Sequence, residues 1–235
     1  MKTLGIIGGL GPATTAEFYL KVSYGCQERN NVQRPAIIIA SVPATYEVER
    51  GMILHNKNGY TPLLLIEAKR LQNSGADFLV MPCNTLHCDI GLIRSTVAIP
   101  VMSIVDTTIA YIKTKGYKKI GIVATAATVE REVYTAVFKQ NNIDFLVPAA
   151  QEQAGLNELI VNLVGGRYLQ RDREFMHGVI DSLKAQGADC IALACTDLQL
   201  LTPEADREDI PIFDTMAILA DAAVEEILKT SLSFS

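Results

Sequence analysis

Tryptophan is absent from the chain, and only three histidines occur in 235 residues. His55, His87 and His177 show no H-x-x-x-H spacing, and the five cysteines form no C-x-x-C pair. A zinc site wants three or four clustered ligands, so no metal is expected. Five cysteines is an odd number, which argues against a disulfide framework; they read as free thiols in a reducing compartment. No run of ~18 consecutive apolar residues exists, so no spanning helix is expected. Net charge is −5, which argues against a broad nucleic-acid surface. The N-terminus enters Lys2-Thr3-Leu4-Gly5-Ile6-Ile7 without the apolar core of a signal peptide, and a soluble, cytoplasmic protein is the expectation. Nucleotide fingerprints are also missing. Gly9-Leu10-Gly11-Pro12-Ala13-Thr14 lacks the last glycine of G-x-G-x-x-G, and no Gly-Lys-Ser/Thr follows a glycine loop.

What the chain does have is apolar content, 49%, and a thiol placed where a strand stops. Phe78-Leu79-Val80 reads as a buried strand that runs into Met81-Pro82-Cys83-Asn84-Thr85-Leu86-His87. In open parallel sheets, ligands bind at that carboxyl end. The stretch is echoed. Gly75-Ala76-Asp77 and Cys83 recur 112 residues later as Gly187-Ala188-Asp189 and Cys195. Lys2-Thr3-Leu4-Gly5-Ile6-Ile7 resembles Lys118-Lys119-Ile120-Gly121-Ile122-Val123, and Ile99-Pro100-Val101 resembles Ile210-Pro211-Ile212. The chain thus reads as two similar halves, each placing one cysteine at the same structural point. Facing halves would set two thiols on opposite sides of one cleft.

Strands alternate with helices throughout, a pattern that gives parallel sheets covered on both faces. The spacing predicts a helix from Pro12 to about Glu28 and another from an N-cap at Thr61 to Leu71. Further helices are expected over 86–96 and 105–115, around 156–164, and over 174–186 and 215–229. Val42 to Gly59 reads as a long connector carrying Glu47, Glu49, Arg50 and His55, with the makings of a lid and with Arg50 as a carboxylate clamp. Gly11 belongs to a loop able to offer backbone N–H groups to a carboxylate. Thr125 and Thr128 occupy the matching loop of the second half, Thr128 doubling as a helix N-cap. Cys88 and Cys190 are expected to pack in the core, and His87 either tunes Cys83 or bonds the backbone. A linker is expected from Cys195-Thr196-Asp197 through Pro203 to Asp209, and the tail 231–235 is expected to fray.

Two thiols across a cleft suit proton transfer at carbon. One, as thiolate, removes a proton; the other delivers a proton to the opposite face, and the stereocentre inverts. Such a reaction needs hydrogen-bond donors at the substrate carboxylate, for which Asn84, Thr85 and Thr196 are candidates. A Cys83–His87 hydrolase and simple packing of both cysteines are the rival readings.

Met81-Pro82-Cys83-Asn84-Thr85-x-His87, Cys195-Thr196 after its Gly-Ala-Asp strand, and Gly8-Gly9-Leu10-Gly11-Pro12 together resemble the aspartate/glutamate racemase superfamily, most closely its aspartate racemase branch. The resemblance covers essentially the whole chain. It implies two similar Rossmann-like (flavodoxin-like) α/β domains with parallel sheets, related by a pseudo-twofold axis, with the active site in the cleft between them. Residues 1–98 with 209–235 would form the first domain and 99–208 the second. It also implies an amino-acid racemase acting on aspartate or a similar acid, free of pyridoxal phosphate or any other cofactor, and commonly a homodimer. Cys83 and Cys195 match the acid/base pair. Asn84, Thr85 and Thr196 match substrate contacts, with Thr125 and Thr128 in the second-domain loop. Arg50 and Arg167 lie near the places from which the aspartate enzymes hold substrate carboxylates. The chain departs from the family at Ala194-Cys195-Thr196-Asp197, where Gly-Cys-Thr-Glu is usual. Tyr46-Glu47-Val48-Glu49-Arg50 resembles the connector of relatives with broader specificity. Other superfamily activities (hydantoin racemase, maleate isomerase, decarboxylase) and a non-catalytic amino-acid-binding protein are the alternatives.

Overall fold

The computed structural model describes residues 1–30, 33–201 and 208–229. Residues 202–207 of the linker to Asp209, and the tail 231–235, lie outside them. Two four-stranded, wholly parallel sheets form. The first contains β1 (Leu4–Gly8), β2 (Ile37–Ser41), β3 (Phe78–Val80) and β4 (Val101–Met102), in the order β2-β1-β3-β4. The second contains β5 (Lys119–Val123), β6 (Asp144–Leu146), β7 (Cys190–Leu193) and β8 (Ile212–Asp214), in the order β6-β5-β7-β8. Both orders are those of a doubly wound sheet, whose crevice lies outside the carboxyl ends of the strands, where the order reverses.

The sequence echo is an echo of register. Leu4 pairs with Phe78 as Ile120 pairs with Cys190, and Leu79 pairs with Val101 as Ile191 pairs with Ile212. The repeated Gly-Ala-Asp has a physical purpose. The Asp77 carboxylate accepts the Thr3 N–H at 2.6 Å, and the Asp189 carboxylate accepts the N–H groups of Lys118 and Lys119 at 2.8 and 3.2 Å. Each aspartate therefore satisfies donors where the neighbouring strand begins, and fixes which residues face across the ladder. Gly5 and Gly121 are a second matched pair. A Cβ on Gly5 would lie 2.5 Å from Leu79 Cδ2, and one on Gly121 2.6 Å from Ile191 Cδ1. Both glycines let a helix-facing leucine or isoleucine lie flat on the sheet.

Helices cover the sheets. α1 (Pro12–Arg29), α2 (Tyr46–His55), α3 (Thr61–Asn73), α4 (Ile90–Thr96) and α5 (Ile104–Lys115) belong to the first half of the chain. α6 (Ala126–Glu130), α7 (Thr135–Gln140), α8 (Ala150–Val164), α9 (Gln170–Ala185) and α10 (Thr215–Leu228) follow. Among the described residues no helix is long and apolar enough to cross a membrane. The sheets place two strands differently from the expected division of the chain: β4 lies in the first sheet and β8 in the second. α10 returns from β8 to the first half, where Ile227 O accepts the Lys2 N–H at 3.1 Å and Asp221 meets Arg29 at 2.9 Å. Apolar side chains of β1, β3, β5, β7, α1, α5 and α10 share one continuous core, so the halves are fused rather than merely tethered.

Several local expectations are corrected. The connector after β2 is not a loop: Thr45 caps α2 by accepting the Val48 N–H, and helix fills most of it. Tyr60, not Thr61, precedes α3, and the Thr61 hydroxyl instead bonds Asp89 at 2.6 Å. Thr125, not Thr128, is the N-cap of α6. α8 and α9 begin earlier than their apolar periodicity suggests, at Ala150 and Gln170. Residues 85–89 form a 3₁₀ turn ahead of α4. That turn swings Cys88 outward: it is exposed, and its sulfur accepts from Arg131 Nη1 at 3.4 Å, where a core position was expected.

Candidate active site

Cys83 and Cys195 both stand just past the third strand of their sheets, and each is followed by a 3₁₀ turn. The turns give the two thiols the same surroundings. Backbone N–H groups of Thr85 and Leu86 point at the Cys83 sulfur, and those of Asp197 and Leu198 at the Cys195 sulfur. Donors therefore come from the second and third residues after each cysteine. The thiols line one cavity and are close enough for charge on Cys83 to act on Cys195. Both are buried, each 7% exposed.

The cavity volume is about 30 Å³. Asn84, Thr85, Thr125, Thr196 and Asp197 give it a polar wall, and Leu10, Met52, Ile53, Ile160 and Val164 an apolar one. Glu49, Tyr60 and Leu86 also line it. The polar wall is braced across the two halves. Thr85, Thr125 and Thr128 form a triangle of hydroxyls, with sides of 3.0, 3.0 and 2.9 Å. Asn84 Oδ1 accepts from the Tyr134 hydroxyl at 2.5 Å, and its Nδ2 donates to Thr215 Oγ1 at 3.1 Å. Thr215 in turn donates to Leu193 O at 2.9 Å, at the end of β7. Asp197 accepts from Thr14 Oγ1 on α1 at 2.6 Å. Gly11 makes that approach possible: with φ 103, a side chain there would be strained, and its Cβ would lie 3.2 Å from the Asp197 carboxylate.

Burial dominates the electrostatics. Desolvation pushes the Cys83 thiol up to about 12, its backbone donors pull it down, and Asp197 pushes it up again. Cys195 is raised for the same reasons, burial first and Asp197 next, against the pull of its own two N–H groups. Burial also raises Asp197 and Glu49, and Asp197 raises Glu49 further. Tyr60 is raised by burial and then by Glu49 and Cys83, which places it beside both. His87 is neutral. Its Nδ1–H donates to Cys83 O at 2.7 Å, its Nε2 accepts the Ile104 N–H at 3.0 Å, and burial lowers its pKa to about 4. Between the two earlier readings of His87, the structure gives the backbone one.

The structure thus brings together Cys83, Asn84, Thr85, Thr125, Thr196 and Cys195 at the cavity, with Thr128 and Gly11 immediately behind. It does not bring in the two arginines. Arg50 is exposed and lines a separate open hollow with Tyr46 and Glu47, on the outer face of α2. Arg167 is exposed beyond α8, its N–H bonded to Asn162 O at 2.8 Å. Tyr60, Tyr134, Thr14 and Thr215 are not singled out by the sequence, and Glu49 figures there only as a charge on the connector, with Arg50 taken as the clamp. A helical reading of 46–55 would have exposed Glu49, because 49, 52 and 53 share a helix face.

Comparison with known proteins gives concordant results. Residues 7–223 match the family model described as Asp/Glu/hydantoin racemase. The chain is 29% identical over 229 residues to the broad specificity amino-acid racemase RacX of Bacillus subtilis, covering 96% of this chain and 98% of that protein. A Yersinia pestis crystal structure assigned as an Asp/Glu racemase superposes with TM-score 0.84 at 30% identity, over 97% of this chain and 100% of that one. The Picrophilus torridus aspartate racemase shares the fold, with TM-score 0.79 at 24% identity, over 97% and 94% of the two chains.

Proposed function

The chain belongs to the Asp/Glu/hydantoin racemase family, and on that premise we propose that it is an amino-acid racemase that inverts the α-carbon with Cys83 and Cys195 and no cofactor. The observation that carries this reading is the matched pair of buried thiols on one cavity, each met by two backbone N–H groups. One cysteine, as thiolate, takes the α-proton. An S–H bond forms, and the C–H electron pair is left on the α-carbon and delocalised into its carboxylate. The other thiol gives its proton to the opposite face, forming the new C–H bond, and is left as the thiolate. The acid and base have exchanged, so the reverse reaction runs from that state. Hydroxyls of Thr85, Thr125 and Thr196 and the amide of Asn84 are the groups positioned to hold the carboxylate as charge builds on it. Thr128 backs the first two.

Burial holds both thiols toward the protonated form at rest. Substrate supplies what is missing: an α-ammonium group beside Asp197 favours the form in which one thiol has given its proton to solvent before the site closes. A cavity of about 30 Å³ has room for roughly one water, not an amino acid. α2 is therefore the lid, closed here. Its C-cap, Asn56, is latched to the second half through Glu130, at 2.8 Å, and through Arg131, which donates from Nε to Asn56 Oδ1 and from Nη2 to Asn56 O.

The sequence motifs suggest aspartate; the lining supports a broader range. Among the described residues no arginine, lysine or histidine lines the cavity, so a second substrate carboxylate finds no cation there. Likeness to the broad specificity racemase over nearly the whole chain supports the same reading. The test is direct. Enantiopure amino acids are incubated with the purified, reduced protein in D2O, with no pyridoxal phosphate added. The α-proton is followed by NMR and the D/L ratio by chiral chromatography. Inversion of at least one amino acid, unaffected by a carbonyl scavenger such as aminooxyacetate, supports the proposal; binding without α-proton exchange would leave a binding protein instead. All five cysteines are free, in keeping with a reducing, cytoplasmic setting. The family resemblance further suggests a homodimer, which light scattering measures.

A further inference from the structure

Glu49 has no part in the thiol chemistry, yet α2 turns it inward. On a helix the side chains at 49, 52 and 53 share a face, and all three line the cavity. Arg50, one residue on, is rotated to the outer hollow. The group that α2 presents to substrate is therefore a carboxylate and not a guanidinium. Among the described residues no hydrogen bond or ion pair engages that carboxylate. It lies within electrostatic reach of Asp197 and of Tyr60, and Tyr60 within reach of Cys83. Next to Glu49 the wall is apolar: Met52, Ile53, Ile160 and Val164.

Resting on the racemase reading above, we propose that Glu49 sets the charge of the side chain this enzyme accepts, turning away acidic amino acids and admitting neutral and basic ones. The α-carboxylate of any substrate is committed to the hydroxyl wall beside the thiols. A side chain then extends over Met52 and Ile53 toward α2. An acidic one ends carboxylate against carboxylate in a water-poor space, where like charges a few ångströms apart repel strongly. A basic one ends as an ion pair. Neutral aliphatic side chains find apolar contact and no charge to satisfy.

The experiment compares kcat/KM for α-proton exchange of L-aspartate, L-glutamate, L-alanine, L-methionine, L-lysine and L-arginine by the full chain, its Glu49→Gln and Glu49→Arg variants, and Glu49→Asp as the conservative control. The wild type is expected to favour lysine over aspartate by ~100-fold, the scale of one like-charge contact replaced by an attractive one. Glu49→Gln should lower that ratio by ~10-fold or more, and Glu49→Arg should reverse it, while Glu49→Asp keeps the order. A change in the ratio cannot come from a merely structural role, which would lower all six substrates together. Wild-type exchange that favours aspartate, or a ratio that Glu49→Gln leaves alone, overturns the assignment and leaves the racemase standing. Silence of the wild type on all six overturns both.

Discussion

His87 makes the active-site scaffold acid-labile in a way that can be sized. It joins Cys83 O to the first N–H of α5 as a neutral imidazole, with Nε2 as acceptor. Protonating Nε2 would set an N–H against the Ile104 N–H in a buried position. The folded pKa, about 4, lies below the unfolded value of ~6.5. As pH falls the unfolded chain binds the proton first, so the contribution is whole above ~6.5 and is lost progressively down to ~4. Linkage gives ~2 kcal/mol lost by about pH 5 and ~3 kcal/mol by about pH 4. Urea unfolding followed by circular dichroism, at several values between about pH 7 and pH 4.5, measures it. A His87→Gln variant gives the background, because carboxylates titrate in both proteins and cancel in the difference. The variant starts lower, having lost two buried hydrogen bonds, and falls less steeply. Parallel decline of the two proteins over that range would refute the assignment of a neutral, acceptor Nε2.

Three further outcomes are expected. Asp197 pushes both thiols up, so Asp197→Asn, which still accepts from Thr14, should move the ascending limb of the kcat/KM–pH profile to lower pH; an unmoved or raised limb counts against the electrostatic role. Gly5→Ala and Gly121→Ala should each destabilise the fold by ~1–3 kcal/mol, because the new methyl meets Leu79 or Ile191 at 2.5 or 2.6 Å; unchanged thermal midpoints would mean that the Leu79 and Ile191 side chains shift freely. Arg131→Ala removes one side of the α2 latch and should raise the rate of amide exchange in 46–55 with the cores unaffected; protection equal to wild type would show that α2 is held elsewhere.

Much of this architecture is written locally. β3 and β7 are short apolar runs with a Gly-Ala-Asp approach, and their pairing with β1 and β5 is pinned by Asp77 and Asp189, which is why the repeat shows in the sequence at all. The cysteines inherit that legibility, since each sits a fixed distance past its strand. Legibility fails where a side chain's direction depends on helical phase. Residues 85–89 turn three residues at a time rather than 3.6, which carries Cys88 to the surface although its neighbours read as a core helix face. In α2 a single step of about 100° separates Glu49 from Arg50, and only the helix, which its polar composition hides, says which one faces substrate. Long-range braces such as Asn84 to Tyr134 and Thr215, or Thr14 to Asp197, join residues far apart in the chain and have no local signature.

The central claim is that two thiols share the reaction, one on each face of the α-carbon. It is tested most directly by racemisation in D2O with the wild type, Cys83→Ala and Cys195→Ala, using an L-amino acid that the wild type turns over. Early in the wild-type reaction the D-product should carry deuterium at the α-carbon while the remaining L-substrate stays largely protiated, and neither single variant should racemise. Equal labelling of both enantiomers from the start, or racemisation that survives loss of either cysteine, would contradict the account.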